Sequence, residues 1–275
     1  MGKMIWVDWG FLMFRAIFMW EKLRKVSPTY TCLNMLQSNI RKVGLDEDDI
    51  VIIAVDSPKG SWRKEIDPAY KANRKAKRAE YDIDWKKIFA DFTDVLENLE
   101  MNTPFHVLRG HKLEADDIIA YGCRKFKDKE CVIISSDSDY EQLYAFGNVK
   151  VFSPISKKYK EVKNPYQLLE KKIQKEPADN LITPIITQED YNRRRTIVNL
   201  MELPEHIDLV IDEKLIDLPS KEWDFENIAF KKSLGPRFMN IYDKTNMVKV
   251  IEKESDKKKK KKVKRKKKLK QVEIF

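Results

Sequence analysis

Residues 113–117 read Leu-Glu-Ala-Asp-Asp, and residues 132–139 read Val-Ile-Ile-Ser-Ser-Asp-Ser-Asp. The first segment opens a helical run, because acids favour a helix N-terminus. The second closes a strand whose apolar run does not alternate, as expected of a strand covered on both faces. Together they carry five carboxylates, Glu114, Asp116, Asp117, Asp137 and Asp139. If the intervening helix packs back on its sheet, both clusters arrive at one sheet edge, where anions so close need cations among them.

The same pattern extends outward on both sides. Met4–Val7 is a short apolar run ending in Asp8, followed by a helical segment to about Lys25 and a second helix over Thr29–Lys42, stopped by Gly44. Ile50–Val55 is an unbroken apolar strand ending in Asp56. Trp85–Leu99 has helical spacing, with Ile88, Phe89, Phe92, Val95, Leu96 and Leu99 on one face. A strand over Pro104–Leu108, a helix over Glu114–Phe126, a strand over Cys131–Ser135, a short helix over Tyr140–Tyr144 and a strand over Val149–Ser153 follow. Strands alternating with helices predict an α/β fold with a mainly parallel central sheet and helices on both faces. Ligands of such sheets sit outside the carboxyl ends of the strands, where Asp8, Asp56 and Asp137 fall.

Beyond residue 160 the pattern turns helical: Pro165–Ile173, a turn at 175–180, Gln188–Met201 behind a Thr187 cap, Ile207–Ile216 and Trp223–Leu234. The organisation expected is a core over 1–160, a smaller helical region over 161–251 and a disordered Lys-rich tail over 252–275. The formal charge of +10 is misleading until it is located. Residues 257–270 hold twelve Lys or Arg and no acid, and without those twelve the other 261 residues carry −2. Cys32, Cys123 and Cys131 lack Cys-x-x-Cys spacing and read as reduced packing thiols. No apolar run is long enough to span a membrane, which with the absence of a leader pattern predicts a cytoplasmic protein. Gly-rich phosphate loops and a serine nucleophile with a histidine partner are not found.

Acids at three strand ends and a helix start suit hard divalent cations such as Mg²⁺, which take oxygen ligands and bridge to phosphates. Two such ions can drive phosphodiester hydrolysis. The set is Asp8, Asp56, Glu114, Asp116, Asp117, Asp137 and Asp139, with Glu176 and Asp179 as outlying members. Residues 59–78, KGSWRKEIDPAYKANRKAKR, carry eight Lys or Arg against two acids, with Trp62 and Tyr70 interleaved. That composition predicts an exposed, mobile, partly helical loop that contacts single-stranded nucleic acid: cations for phosphates, rings for bases.

VDSPKGSWRKEIDPAYKANRK (55–75), EADDIIA (114–120) and ISSDSDYEQL (134–143), in that order and at those intervals, resemble the 5′-nuclease superfamily of flap endonucleases and 5′→3′ exonucleases. Within it the pattern is most similar to the T-even bacteriophage ribonuclease H branch, where ITQEDYNRRRTIVNLMELPEHI (186–207) also has a counterpart. The resemblance implies a PIN-like nuclease core and an enzyme dependent on two Mg²⁺ ions, with Mn²⁺ as a substitute. Such an enzyme cleaves DNA or RNA near 5′ ends and removes RNA primers during phage replication. By position, Asp8, Asp56, Glu114, Asp116, Asp137 and Asp139 match the first metal cluster and its neighbours, and Asp117 matches an extra acid of the phage enzymes. Tyr70, Lys71 and Arg74 match residues of a helical arch, near 59–84, that stack on a base and hold the scissile phosphate. Arg63 and Lys75 are further nucleic-acid contacts, and Lys71, Arg74 and Asp137 are the catalytic set.

The chain departs from the family after Pro154. In place of Gly-Asp-x-x-Asp-Asn it has Lys-Glu-Pro-Ala-Asp-Asn (175–180), and only Leu181–Ile185 precede the next recognisable segment, too few for the duplex-gripping helix pair. Glu176 and Asp179 keep the acid spacing expected of a second ion site. The Lys-rich tail would bind DNA without sequence preference. Gln271–Phe275 resembles peptides that dock on sliding clamps. Expected partners are DNA with a 5′ flap or nick, RNA–DNA hybrid, a sliding clamp and a single-strand-binding protein, and no membrane, for a monomer working in the cytoplasm of an infected bacterial cell. The alternatives are a weakly active or non-catalytic DNA-binding replication accessory protein, and a single-strand ribonuclease.

Overall fold

The computed structural model describes residues 2–221 except 24, 47, 175–180, 182, 183, 217, 219 and 220. Six strands are described: β1 Met4–Asp8, β2 Ile50–Ala54, β3 His106–Leu108, β4 Cys131–Ile134, β5 Val149–Ser153 and β6 Lys158–Tyr159. They form one sheet in the order β3-β2-β1-β4-β5-β6. All neighbours are parallel except β5 and β6, which are antiparallel. Chain direction across the sheet reverses at β1: β2 lies on one side of it and β4 on the other, which makes the carboxyl ends of β1 and β4 a topological switch point. The expected α/β fold and mainly parallel sheet are therefore present. The two-residue β6, both residues exposed, was not anticipated, because so short an edge strand leaves no hydrophobic signature.

Alternation along β1 sorts the two cores. Ile5 and Val7 face a layer built from α1 (Trp9–Leu23), α2 (Pro28–Val43) and α5 (Trp85–Asn102), with Leu12, Leu36, Ile40, Phe92 and Leu99 buried in it. Met4 and Trp6 face the opposite layer, α6 (Ala115–Lys125), a 3-10 helix over Asp139–Phe146 and α9 (Glu205–Leu215). Helix α6 approaches the sheet closely because Gly122 has no side chain: a Cβ there would lie 2.0 Å from Cη2 of Trp6. The switch point is covered on both faces by these layers, and Asp8 at its edge is buried, in low dielectric. Cys32, Cys123 and Cys131 are free and buried, as packing thiols would be.

The basic segment is partly helical as expected, and residues 72–77 are exposed, but it is not exposed throughout. It contains α3 (Arg63–Ile66) and α4 (Arg74–Ala79), and Trp62, Arg63 and Tyr70 within it are buried. Tyr70 joins Leu169, Ile173, Leu181, Ile197 and Val198 in a third apolar cluster, contributed mainly by α7 (Pro165–Gln174) and α8 (Gln188–Val198). Helix α8 starts on the predicted Thr187 cap, which accepts the Asp190 N–H at 3.1 Å. Most of the stretch between α7 and α8, where the sequence leaves no room for a helix pair, lies outside the described residues. Helix α9 packs into the main core rather than forming a separate body. The predicted helix at Trp223–Leu234, the Lys-rich tail and Gln271–Phe275 lie outside the described residues. No helix of the described residues is long and apolar enough to cross a membrane.

Candidate active site

Strand ends and one helix start build an acidic cleft at the switch point. Asp8 is the last residue of β1, Asp56 follows β2, Asp116 stands in the first turn of α6 and Asp137 follows β4. All four line one cleft of ≈ 460 Å³, together with Lys71 and Arg74. Each carboxylate is held by a short local bond. Asp8 accepts the Phe11 N–H at 2.9 Å and the Ser135 hydroxyl at 2.9 Å. Asp56 accepts the Ala115 N–H at 2.8 Å. Asp116 accepts the Tyr140 hydroxyl at 2.6 Å, and Asp137 accepts the Asp139 N–H at 2.9 Å. Ser135 also accepts the Asp137 N–H at 3.1 Å, so one buried hydroxyl fixes two acids. Gly10 lets Asp8 and Asp56 face each other: a Cβ there would stand 3.2 Å from Asp56 Oδ2 and 3.6 Å from Asp8 Oδ1.

Crowding these anions at one cleft makes their charge costly, and Asp8 is the buried one of the four. Burial, with help from Asp56 and Asp137, raises Asp8 to about 7. Burial also raises Asp56, with Glu114 adding to the effect while the Ala115 N–H, Lys71 and Arg74 oppose it. Asp116 is raised well above the usual carboxylate range, by burial first and then by Asp137 and Asp8, against Lys71. A multivalent cation would reverse all three effects. Among the described residues no three His, Cys, Asp or Glu groups converge closely enough to form a ligand cage by themselves. Four aspartates around a cleft suit instead a hydrated hard cation, which keeps several waters and takes few protein oxygens.

The remaining predicted acids separate from this set. Glu114 lies behind the cleft with both oxygens occupied: Lys71 Nζ donates to Oε1 at 2.7 Å, and Arg63 Nη1 and Tyr70 OH donate to Oε2 at 2.9 and 3.0 Å. Burial alone would raise its carboxyl, but Lys71 and Arg63 outweigh it and hold Glu114 at about 2. Asp117 is wholly buried and does not fit a metal ligand. It pairs with Arg63 Nη2 at 2.7 Å and accepts the Trp62 indole N–H at 3.0 Å and the Glu114 N–H at 2.9 Å. Asp139 pairs with Lys172 of α7 and does not line the cleft. Glu176 and Asp179 lie outside the described residues.

The basic residues separate likewise. Lys71 and Arg74 reach the cleft. Lys75 is exposed on α4, away from the cleft lining. Arg63 does not fit a nucleic-acid contact, since it is 1% exposed and its donors are spent on Glu114, Asp117 and the Ile197 carbonyl. Tyr70 is 3% exposed, so its ring is engaged in the third cluster rather than offered to a base. One wall of the cleft was missed: Phe11, Phe14, Arg15, Phe18, Met19 and Lys22 all come from α1. Their spacing of three and four is that of one helix face, with cations at two positions, and was readable in principle. Lys160, which holds the loop after β4 by donating to the Ser136 and Asp137 carbonyls at 3.2 and 3.0 Å, carried no such signal.

Comparison with known proteins agrees with this geometry. The family model for the 5′-3′ exonuclease, N-terminal resolvase-like domain, matches residues 3–174. The chain is 33% identical over 147 residues to a ribonuclease H of Enterobacteria phage T4, covering 52% of this chain and 48% of that one. It is 30% identical over 142 residues to a 5′-3′ exonuclease of Mycoplasmopsis pulmonis, covering 51% and 45%. The chain thus spans about half the length of the curated relatives it matches. Among solved structures, a bacteriophage T5 flap endonuclease, described as a pseudo-enzyme-product complex with DNA and metal ions, superposes with a TM-score of 0.59 at 19% identity. That match covers 78% of this chain and 97% of the other. A T5 5′-exonuclease superposes with a TM-score of 0.53 at 16% identity, covering 80% and 100%. These two likenesses speak to the fold.

Proposed function

Because the chain belongs to the 5′-3′ exonuclease, N-terminal resolvase-like domain family, we propose that it is a Mg²⁺-dependent nuclease that hydrolyses phosphodiester bonds near the 5′ ends of DNA and RNA–DNA hybrids. The observation that carries this reading is the cleft in which Asp8, Asp56, Asp116 and Asp137 face Lys71 and Arg74. Acids alone would make a cation site and cations alone a phosphate site. Both around one cleft suit a phosphodiester bridged to a divalent ion.

The four aspartates would hold the metal, through direct oxygens and through waters. A divalent cation bound there polarises a phosphoryl oxygen and acidifies water at neutral pH. Ser135, Tyr140 and the Phe11 and Ala115 N–H groups keep the acids in place before substrate arrives, so little reorganisation is needed during the reaction. Lys71 and Arg74 orient the scissile phosphate and take up negative charge that grows on its oxygens. The α1 wall lines one side of the cleft with the rings of Phe11, Phe14 and Phe18 and adds the cations Arg15 and Lys22, which suit a polyanion. A purely DNA-binding role leaves the cost of crowding four carboxylates around one cleft without a purpose.

A substrate comparison with the full chain and Mg²⁺ tests this reading. A 5′-labelled flap duplex, a nicked duplex and an RNA–DNA hybrid should release short 5′ products, whereas a closed single-stranded circle should survive. Equal cutting of circle and flap would favour a single-strand nuclease that does not require an end.

A further inference from the structure

The acids and cations that the cleft does not use form a second cluster directly behind it. Arg63 is 1% exposed, Asp117 0% and Glu114 8%. The Arg63 guanidinium spends three edges at once: Nη1 donates to Glu114 at 2.9 Å, Nη2 pairs with Asp117 at 2.7 Å, and Nε donates to the Ile197 carbonyl at 2.7 Å. One side chain therefore ties α3, the start of α6 and the end of α8 together. Glu114 uses its other oxygen to hold Lys71 Nζ at 2.7 Å. With Lys71 included the group has two cations and two anions, so none of its buried charges is left uncompensated.

Lys71 also has φ 52, a left-handed backbone that a non-glycine residue adopts only where its surroundings impose it. Its ammonium group donates to Glu114, and Glu114 is itself set by Arg63 and by Tyr70. A chain of contacts thus runs from Asp117 through Arg63 and Glu114 to an ammonium group that lines the acidic cleft.

We infer that Arg63 and Asp117 are positioning residues for the reaction, acting through Glu114 on the placement of Lys71 at the scissile phosphate. The inference rests on the proposed role of Lys71. The rival is that Arg63 only stabilises the fold, in which case its effect would not depend on Lys71.

A double-mutant cycle on the full chain separates the two. Arg63→Lys keeps a positive charge but cannot bridge two carboxylates and a carbonyl at once. With 5′-flap DNA and Mg²⁺, Arg63→Lys should lower kcat about 10- to 100-fold, as changes behind a catalytic group typically do, and leave KM nearly unchanged. In a Lys71→Ala background the same change should leave kcat within about twofold of Lys71→Ala alone. Asp117→Asn, which keeps its shape and removes the far charge, should behave in the same way, and thermal unfolding of each variant reads stability separately. If Arg63→Lys and Asp117→Asn cost the same factor with and without Lys71, or cost nothing, the inference is overturned while the nuclease reading stands. If Lys71→Ala alone keeps the wild-type rate, both the inference and the role given to Lys71 fail.

Discussion

Asp56 accepts the backbone N–H of Ala115 at 2.8 Å, so the carboxylate that follows β2 also anchors the first turn of α6, where Asp116 stands. Two acids of the cleft are thereby positioned by one bond. Asp56→Asn keeps an acceptor for that bond and removes the charge. We expect it to lower Mg²⁺-dependent cleavage by at least about 100-fold, the scale of losing one preorganised electrostatic group, with thermal stability equal to or above wild type without metal, because its repulsion with Asp8 and Glu114 is relieved. Asp56→Ala should lose activity and also about 1–3 kcal/mol of stability, because the Ala115 N–H is left unsatisfied. Cleavage assays paired with denaturant melts check both.

Stability without metal should vary with pH in two opposite windows. The folded pKa of Asp8 is raised from 3.8 to about 7, so its contribution is fully present below 3.8 and is lost as pH rises through about 7. Glu114 is lowered from 4.5 to about 2, so its contribution is present above 4.5 and is lost as pH falls through about 2. Unfolding of the metal-free chain followed from pH 2 to 8 should show both slopes. Asp8→Asn should flatten part of the decline between about pH 4 and 7, the rest being carried by Asp56 and Asp116, which are raised as well, and Mg²⁺ should restore stability at the alkaline end of that window.

Tyr70 distinguishes a packing role from a stacking one. With its ring in the α7–α8 cluster and its hydroxyl on Glu114, Tyr70→Phe should cost about 0.5–1.5 kcal/mol and Tyr70→Ala about 3–5 kcal/mol. A base-stacking role would instead make Tyr70→Ala weaken binding of single-stranded DNA with little change in melting temperature.

The closeness of α6 to β1 gives a test of the fold alone. Gly122→Ala places a methyl 2.0 Å from the Trp6 ring, against a buried neighbour with no room to retreat. It should destabilise by about 1–3 kcal/mol or more, and Trp6→Phe in the same chain should recover part of that loss. Calorimetry of the two variants and the pair measures it.

What could be read in the sequence follows from range. Strands such as Ile50–Ala54 announce themselves as unbroken apolar runs, and a terminal aspartate on each locates the cleft through the general rule for parallel sheets. The Thr187 cap and the Gly44 stop are equally local, and Gly44 has the positive φ of 79 that favours glycine. The pairing of Arg63 with Asp117 was not readable, since it joins residues 54 positions apart by a geometry that composition does not encode. For that reason the sequence placed both in functional roles that the burial of each contradicts. Tyr70 was misplaced for a related cause: its ring is covered by α7 and α8, elements about a hundred or more residues further along the chain.

The central claim is that the four-aspartate cleft performs metal-dependent cleavage from a 5′ end, and one assay tests it most directly. Wild-type chain and Asp137→Asn are each incubated with a 5′-labelled flap duplex, with Mg²⁺ and with chelator. The account predicts short 5′ products from the wild type with Mg²⁺ alone, and none above background from Asp137→Asn at unchanged melting temperature. Cleavage by Asp137→Asn at the wild-type rate, or wild-type cleavage that persists in chelator, would contradict it.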